Sequence, residues 1–118
     1  MSENQTKLNE NRKKHVDLLE QTMRGELPAL GEGIDAVSRS TYVDGALSTK
    51  SKRLMALALA LGVGCRNCVL AQTECALAEG ATKKEFLETI AVVMAMRGTT
   101  GVAESLRVIQ YLDENGNW

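Results

Sequence analysis

The run LMALALALGV, residues 54–63, is the longest apolar stretch of this 118-residue chain. It is rich in Ala and Leu, which favour helices, and it is apolar on nearly every side, as expected of a buried central helix. Aromatic residues make up only 3% of the chain, which also has a single proline, and this disfavours β-sandwiches and barrels. Crossing a bilayer takes about 18 apolar residues. The sequence therefore predicts an all-α protein without a membrane span.

Helical periodicity continues on both sides of this central helix. The apolar spacing, the capping residues and the glycine breaks predict a bundle of about six helices, over residues 6–23, 27–39, 48–61, 65–79, 82–96 and 102–113. Gly25 is expected to end the first helix, and residues 97–101 (RGTTG) to separate the last two. We predict one helical domain over residues 1–118, with N-terminal helices and a connector in 1–44 and the core in 45–113.

Charge is nearly balanced, since 14 Lys and Arg against 15 Asp and Glu give a formal net charge of -1. A nucleic-acid-binding domain would show a basic face or tail, so no nucleic-acid partner is expected. The first residues, MSENQTKLNENRKK, contain no apolar segment of the kind that directs secretion. We therefore expect a cytoplasmic location.

The three cysteines, Cys65, Cys68 and Cys75, lie within 11 positions of one another. An odd, clustered set in a chain without a secretion signal is not the framework of a small disulfide-stapled fold. In a reducing compartment such a cluster indicates a redox pair, a metal site or simple packing.

The segment Cys65-Arg66-Asn67-Cys68 falls where a glycine-containing break meets the start of the fourth helix. Unpaired backbone N–H groups and the positive end of the helix dipole stabilise a thiolate there, and Arg66 adds a nearby positive charge. These conditions lower a cysteine pKa from its ordinary value of about 8.5. Two intervening residues on a first helical turn also let the two sulfurs meet in a disulfide. A redox dithiol is therefore favoured over two buried, inert thiols.

A structural zinc site needs four nitrogen or sulfur ligands, and only Cys75 and His15 are available beyond the first two cysteines. A lone histidine in the polar half of the first helix is usually solvated, so no metal is expected. Cys68, Gln72 and Cys75 share one helix face at the spacing i, i+4, i+7. Gln72 could hydrogen-bond a sulfur. Cys75 could be a third redox partner, although packing explains it better.

Taken as a whole, residues 45–113 resemble the carboxymuconolactone decarboxylase superfamily, and more closely its redox branch, the alkylhydroperoxidase-D-like proteins. The resemblance rests on an alanine-rich helix, then C-x-x-C opening the next helix, then ALAEGATKKEF at the following junction. It implies an all-helical subunit that assembles into a homo-oligomer, often a trimer or hexamer. It also implies thiol-dependent peroxide reduction or disulfide exchange by Cys65 and Cys68, with a small dithiol protein or a lipoyl-type group as the reductant. No flavin, haem or nucleotide fingerprint is present, so no cofactor is expected.

Two positions depart from the pattern of the redox branch. Its motif usually continues as C-x-x-C-x-x-x-H, with a glutamate early in the preceding helix, and the matching positions here hold Gln72 and Arg53. In the family these two residues form a proton relay that activates the cysteines. Glutamine is not a general base and arginine is a fixed cation, so the relay does not carry over. Arg53 could instead stabilise a thiolate, or it could be an ordinary solvated or salt-bridged surface arginine.

The leading hypothesis is an oligomeric thiol oxidoreductase, a peroxidase-type enzyme in which one cysteine attacks and the other resolves. By analogy with other C-x-x-C helices, Cys65 is expected to be the better exposed thiol and to attack partner disulfides, whereas peroxide could meet Cys68 first. The runner-up is a decarboxylase of lactone acids, in which Arg53, Arg97 and Arg107 could bind the acid, although no acid–base pair stands out. The third is a helical oligomer without catalysis. The apolar third helix favours oligomerisation under all three hypotheses.

Overall fold

The computed structural model describes residues 4–117, so the two ends of the predicted 1–118 domain lie outside the described residues. It has six helices: α1 (Gln5–Glu26), α2 (Pro28–Thr41), α3 (Thr49–Val63), α4 (Arg66–Ala78), α5 (Lys83–Arg97) and α6 (Thr99–Glu114). No strand occurs within residues 4–117, and none of the helices there combines the length and the apolar character that a bilayer crossing requires. The predicted all-α class and the number of helices are confirmed.

The apolar core is formed mainly by helices α3 to α6. Its buried members are Leu57, Ala60, Leu61, Val69, Ala76, Ala81, Phe86, Ile90, Val93, Val108 and Leu112. Fully burying a Leu, Val, Ile or Phe side chain contributes roughly 1.5–3 kcal/mol to folding, so this cluster holds the four helices together. Gly101 brings α6 close to α5, because a Cβ atom at that position would lie 2.9 Å from Val93 Cγ1.

Helix α3 is buried on one side only, contrary to the expectation of a fully buried central helix. Leu57 and Leu61 have no exposed surface, whereas Leu59 is 72% exposed and Val63 is 78% exposed. The physical reason is that, among the described helices, α3 packs against α4, α5 and α6, and these cover one side of it. The uncovered side continues onto α5 and surrounds a cavity of about 430 Å³. We call this surface the α3–α5 apolar face; its exposed members are Met55, Leu59, Val63, Val92 and Met96.

Two helix boundaries differ from the predicted ones by three residues, whereas the others agree to within two. Helix α1 continues past Gly25, because an isolated glycine costs a helix only about 1 kcal/mol. Pro28 ends it instead, since Leu27 precedes the proline ring and leaves the helical region at φ -136° and ψ 65°. Between the last two helices the break is Gly98 alone, at φ 62°, so α6 begins at Thr99 rather than near residue 102.

The start of α1 packs against the core, while the rest of α1 carries α2 away from it. Gln5 and Asn9 are buried, and α1 contacts both α4 and α6. Among the described helices α2 contacts α1 alone. Large apolar side chains are therefore exposed along this hairpin: Val16, Leu18, Leu19, Leu27, Leu30, Ile34 and Val37.

Glu114, at the end of α6, caps the start of α1. Its Oε2 accepts the N–H of Gln5 at 2.9 Å, and its Oε1 accepts both the N–H and the hydroxyl of Thr6 at 2.7 Å. Burial would raise the pKa of Glu114, but these hydrogen bonds, with another from Gln110, hold it below its ordinary value. A carboxylate at a helix N-terminus also interacts favourably with the helix dipole. Glu114 therefore ties the first helix to the last.

Replacing Glu114 with Gln is expected to lower the free energy of unfolding by about 1 kcal/mol at neutral pH, the usual cost of a lost helix cap. Because the pKa of Glu114 is lowered in the folded state, its contribution is complete above the pKa of the unfolded chain and is lost as the pH falls through the folded value. The stability gap between wild type and E114Q should close as the pH falls below 4.5. Urea unfolding across this range measures it, with Glu88→Gln, at an exposed position of α5, as the control. Equal stabilities at neutral pH would contradict the capping role.

Candidate functional site

The chain turns from α3 to α4 at Gly64, and this turn fixes the positions of the first two cysteines. Gly64 has φ 76° and ψ 31°, the left-handed conformation that glycine adopts without strain. The N–H groups of Gly64 and Cys65 both donate to the carbonyl oxygen of Ala60, at 3.0 and 3.1 Å. Cys65 is consequently the N-cap residue of α4, and Cys68 lies in the first turn of that helix.

Cys65 and Cys68 form a disulfide in this structure, and their Cα atoms are 5.2 Å apart. The N–H of Cys68 donates to Cys65 Sγ at 3.3 Å, so a sulfur occupies the place where a serine or aspartate oxygen usually caps a helix. A negatively charged sulfur at this point is stabilised by that N–H and by the helix dipole. The geometry therefore suits a pair that alternates between disulfide and dithiol on one helical turn.

The expectation that Cys65 is the better exposed of the two is wrong. Cys68 is exposed and Cys65 is half-buried, because the backbone of Cys65 is bonded back to the last turn of α3. Arg66, between them, is exposed. Cys75 lies two turns after Cys68, where it is half-buried and outside the disulfide. Cys68 is therefore the cysteine of the pair that is more accessible to a molecule in solution.

Arg53 and Gln72, the two positions that depart from the family pattern, are in contact. Arg53 Nη1 donates to Gln72 Oε1 at 3.3 Å, which links α3 to α4 one turn after Cys68. The guanidinium also lies over the ring of Tyr42, with Cζ 3.5 Å from the ring centroid. Arg53 is half-buried, and its guanidinium contacts an amide oxygen and an aromatic ring. Gln72 presents its oxygen to Arg53.

Tyr42 is a member of this cluster that no sequence pattern indicates. It follows α2 in the connector, which is held in place by side chains from α3 and from the connector itself. Lys52 Nζ donates to the carbonyl oxygens of Thr41 and Val43, at 3.0 and 2.7 Å. These two bonds flank Tyr42 and fix its ring over Arg53. The one signal in the sequence is that Tyr42 is an isolated aromatic residue in a chain with few of them.

Positive charge predominates on the two helices that meet at the disulfide. Helix α3 has no acidic residue and α4 has one, Glu74. Lys13 and Asn9 hydrogen-bond to Glu74, and Arg12 lies 3.8 Å from it. Burial would raise the pKa of Glu74, but the hydrogen bonds from Lys13 and Asn9 hold it below its ordinary value. Glu74 is thus neutralised by α1, and Arg53 has no carboxylate partner among residues 4–117.

A cavity of about 360 Å³ opens between α1 and the segment that contains the cysteines. It is lined by Leu8, Asn11, Arg12, His15, Val16, Leu19 and Asn67. His15 is exposed, as expected, and its Nδ1 lies 2.9 Å from the carbonyl oxygen of Asn11. The cavity is large enough to hold a small molecule next to Asn67. In the sequence, Asn67 lies between the two cysteines of the pair.

The residues considered for a metal or for an acid substrate do not converge. Within residues 4–117 no group of three or more His, Cys, Asp or Glu side chains is placed to hold a metal ion. Arg53 lies in the cluster with Gln72, whereas Arg97 lines the cavity of the α3–α5 apolar face. Arg107 is buried in α6, 3.3 Å from Glu104.

Comparison with known families gives a match over most of the chain. The model of the carboxymuconolactone decarboxylase family matches residues 28–111. An uncharacterised protein of Cupriavidus necator is 34% identical over 86 residues, which cover 73% of this chain and 76% of the relative. Uncharacterised protein 4 in the cox locus of Paracoccus denitrificans is 34% identical over 94 residues, which cover 76% of this chain and 85% of the relative.

Solved structures share the fold. A carboxymuconolactone decarboxylase family protein from Legionella pneumophila superposes with a TM-score of 0.82 at 27% identity, over 89% of this chain and 94% of that one. A family protein from Thermotoga maritima, suggested to be involved in an antioxidative response, superposes with a TM-score of 0.71 at 21% identity, over 90% and 94% of the two chains. The second likeness concerns the fold alone.

Proposed function

The chain belongs to the carboxymuconolactone decarboxylase family, and from this premise we propose that it is a thiol-dependent oxidoreductase of the alkylhydroperoxidase-D-like branch. The observation that carries the proposal is the Cys65–Cys68 disulfide at the N-terminus of α4. The pair combines the two requirements of dithiol chemistry, which are a sulfur stabilised as an anion and a second sulfur within bonding reach. No other pair of cysteines in the chain has this spacing.

The proposed reaction reduces a peroxide or a disulfide and oxidises the dithiol. With a hydroperoxide, one thiolate attacks the outer oxygen, the alcohol leaves, and a sulfenic acid forms; the second thiol then condenses with it, releasing water and closing the disulfide. With a disulfide, the thiolate displaces one thiol product and the second cysteine displaces the other. A small dithiol protein or a lipoyl-type group then returns the pair to the reduced state, which suits the reducing cytoplasm that we propose as its location.

Activation of the cysteines does not use the family's Glu–His relay in this proposal. Gln72 and Arg53 meet at the corresponding positions, but neither accepts a proton near neutral pH. The N-terminal amides of α4 and the positive surroundings stabilise the thiolate instead. Each cysteine has one feature that favours it as the attacking thiolate. Cys65 Sγ accepts a hydrogen bond from the N–H of Cys68, and Cys68 is the more exposed residue.

The experiment that tests the proposal is differential alkylation of the three cysteines before and after one equivalent of hydrogen peroxide, read by mass spectrometry. We expect a rapid Cys65–Cys68 disulfide that dithiothreitol reverses, while Cys75 stays a free thiol. Three thiols that stay inert or overoxidise slowly would contradict the proposal. That result would favour the helical oligomer without catalysis. Decarboxylation of carboxymuconolactone that survives alkylation would favour the lyase.

The proposal includes a homo-oligomer, a trimer or hexamer, with the α3–α5 apolar face as the contact between copies. Met55, Leu59 and Met96 project from two adjacent helices around one cavity, with apolar neighbours on most sides. Exposed apolar patches of this kind mark interaction surfaces in soluble proteins. Around a three-fold axis, copies of the same chain would bring these apolar faces together and bury them.

A further inference from the structure

We propose that Arg53 binds a carboxylate, and that the oxidised substrate of the Cys65–Cys68 pair is a small disulfide or hydroperoxide that carries this group. The inference rests on the proposed thiol chemistry and names its substrate class. It starts from a half-buried cation that contacts Gln72, one helical turn after Cys68, and that has no carboxylate partner among residues 4–117.

The surroundings of Arg53 hold its guanidinium in place and leave donors available. The ring of Tyr42 covers one face of the guanidinium, and Nη1 donates to Gln72 Oε1 at 3.3 Å. Arginine has five N–H donors in a fixed fork that matches a carboxylate. Gln72 uses one of them and is uncharged, so it leaves the positive charge unbalanced. A cation fixed by stacking loses little side-chain freedom when it binds an anion.

Other cations of α3 already have partners, which distinguishes Arg53 from them. Lys50 Nζ lies 2.9 Å from a carboxylate oxygen of Glu85. Lys52 Nζ donates to the backbone carbonyl oxygens of Thr41, at the end of α2, and Val43 in the connector. Arg53 contacts an amide oxygen and an aromatic ring instead. It is therefore the cation of this helix whose charge an incoming anion would balance.

The position of Arg53 places such an anion next to the reacting sulfur. Gln72 lies one helical turn after Cys68, and residues at that spacing are neighbours on one face, with Cβ atoms about 5–6 Å apart. Arg53 Nη1 is 3.3 Å from Gln72 Oε1. A carboxylate bound to Arg53 would therefore hold the rest of a small substrate over Cys68, the more exposed cysteine of the pair.

The step for a disulfide substrate is balanced as follows. A thiolate of the reduced pair attacks one substrate sulfur, the substrate S–S bond breaks, and a carboxylate-bearing thiolate leaves and takes up a proton. The other cysteine, as its thiolate, attacks the mixed disulfide and expels the second thiol product. One substrate disulfide is reduced to two thiols while the protein pair is oxidised to the Cys65–Cys68 disulfide.

The test compares two reagents of similar size on the fully reduced chain. One is 3,3′-dithiodipropionate, which carries a carboxylate two methylene groups from each sulfur, and the other is the neutral bis(2-hydroxyethyl) disulfide. The measured quantity is the ratio of their rate constants for closing the Cys65–Cys68 disulfide. Replacing Arg53 with Gln is expected to lower this ratio about tenfold. Arg53→Lys, which keeps the charge and loses the fork, should give an intermediate ratio.

Arg39→Gln is the matched control, because it removes one positive charge from exposed α2, which contacts only α1 among the described helices. Its ratio should change by less than about twofold, since exposed charges at a distance are screened. A ratio that R53Q leaves unchanged overturns the inference. The inference is also overturned if R53Q lowers the rate constants of both reagents equally. Arg53 would then affect the reactivity of the protein's own thiols and not the binding of a carboxylate. If neither reagent oxidises the reduced wild-type pair, the thiol function itself fails, and this inference fails with it.

Discussion

Replacing Cys65 and Cys68 together with serine is expected to reduce peroxide or disulfide turnover by roughly 100-fold or more, because serine neither forms a thiolate nor closes a disulfide. Turnover is measured by the consumption of hydroperoxide, with dithiothreitol as the reductant. The single variants separate the two roles. In the absence of dithiothreitol, the variant that keeps the attacking cysteine should consume about one equivalent of peroxide and then stop as the sulfenic acid.

Loss of structure is not expected to account for this effect. Position 65 is the N-cap of α4, and serine is among the preferred N-cap residues. Position 68 is exposed. Circular dichroism should show unchanged helix content, and Cys75→Ser, outside the pair, is the control for nonspecific effects of removing a thiol. A double variant with full turnover would remove the basis of the proposed function.

Replacing Leu59 with Glu is expected to convert the protein from an oligomer to a monomer. Leu59 is 72% exposed within one chain, so the charge costs the isolated fold little. At the contact between copies it would be buried without a partner, which costs several kcal/mol per chain. Light scattering should give three or six times the chain mass of 12.8 kDa for the wild type and a single chain mass for L59E.

Ser38→Glu is the control for this variant, because it adds the same charge to exposed α2. It should keep the mass of the wild type. A wild type that is monomeric at every concentration tested would show that the α3–α5 apolar face is not a contact between copies. Dissociation by S38E and not by L59E would place the contact on the α1–α2 hairpin instead.

Much of the fold could be predicted because its signals are local. The apolar spacing defined the helices, and Thr82 and Glu85 form the predicted capping box at the start of α5. Errors occurred where two local signals compete. Gly25 favours a helix end, but Pro28 ends α1, because proline disrupts helical hydrogen bonding whereas glycine only lowers helix stability. In α6, Gly101 is a close-packing residue within the helix rather than part of the break.

By itself the sequence determined the helical class, the family, and the pair Cys65 and Cys68 at the start of a helix, since spacing along one chain segment is enough to specify each of them. Only the tertiary structure decided that Arg53 meets Gln72 and Tyr42, that Cys68 is more exposed than Cys65, and that α3 leaves one side uncovered. These features depend on how each helix is rotated against its neighbours. That rotation is set by the packing of all the core side chains together, and no single segment encodes it.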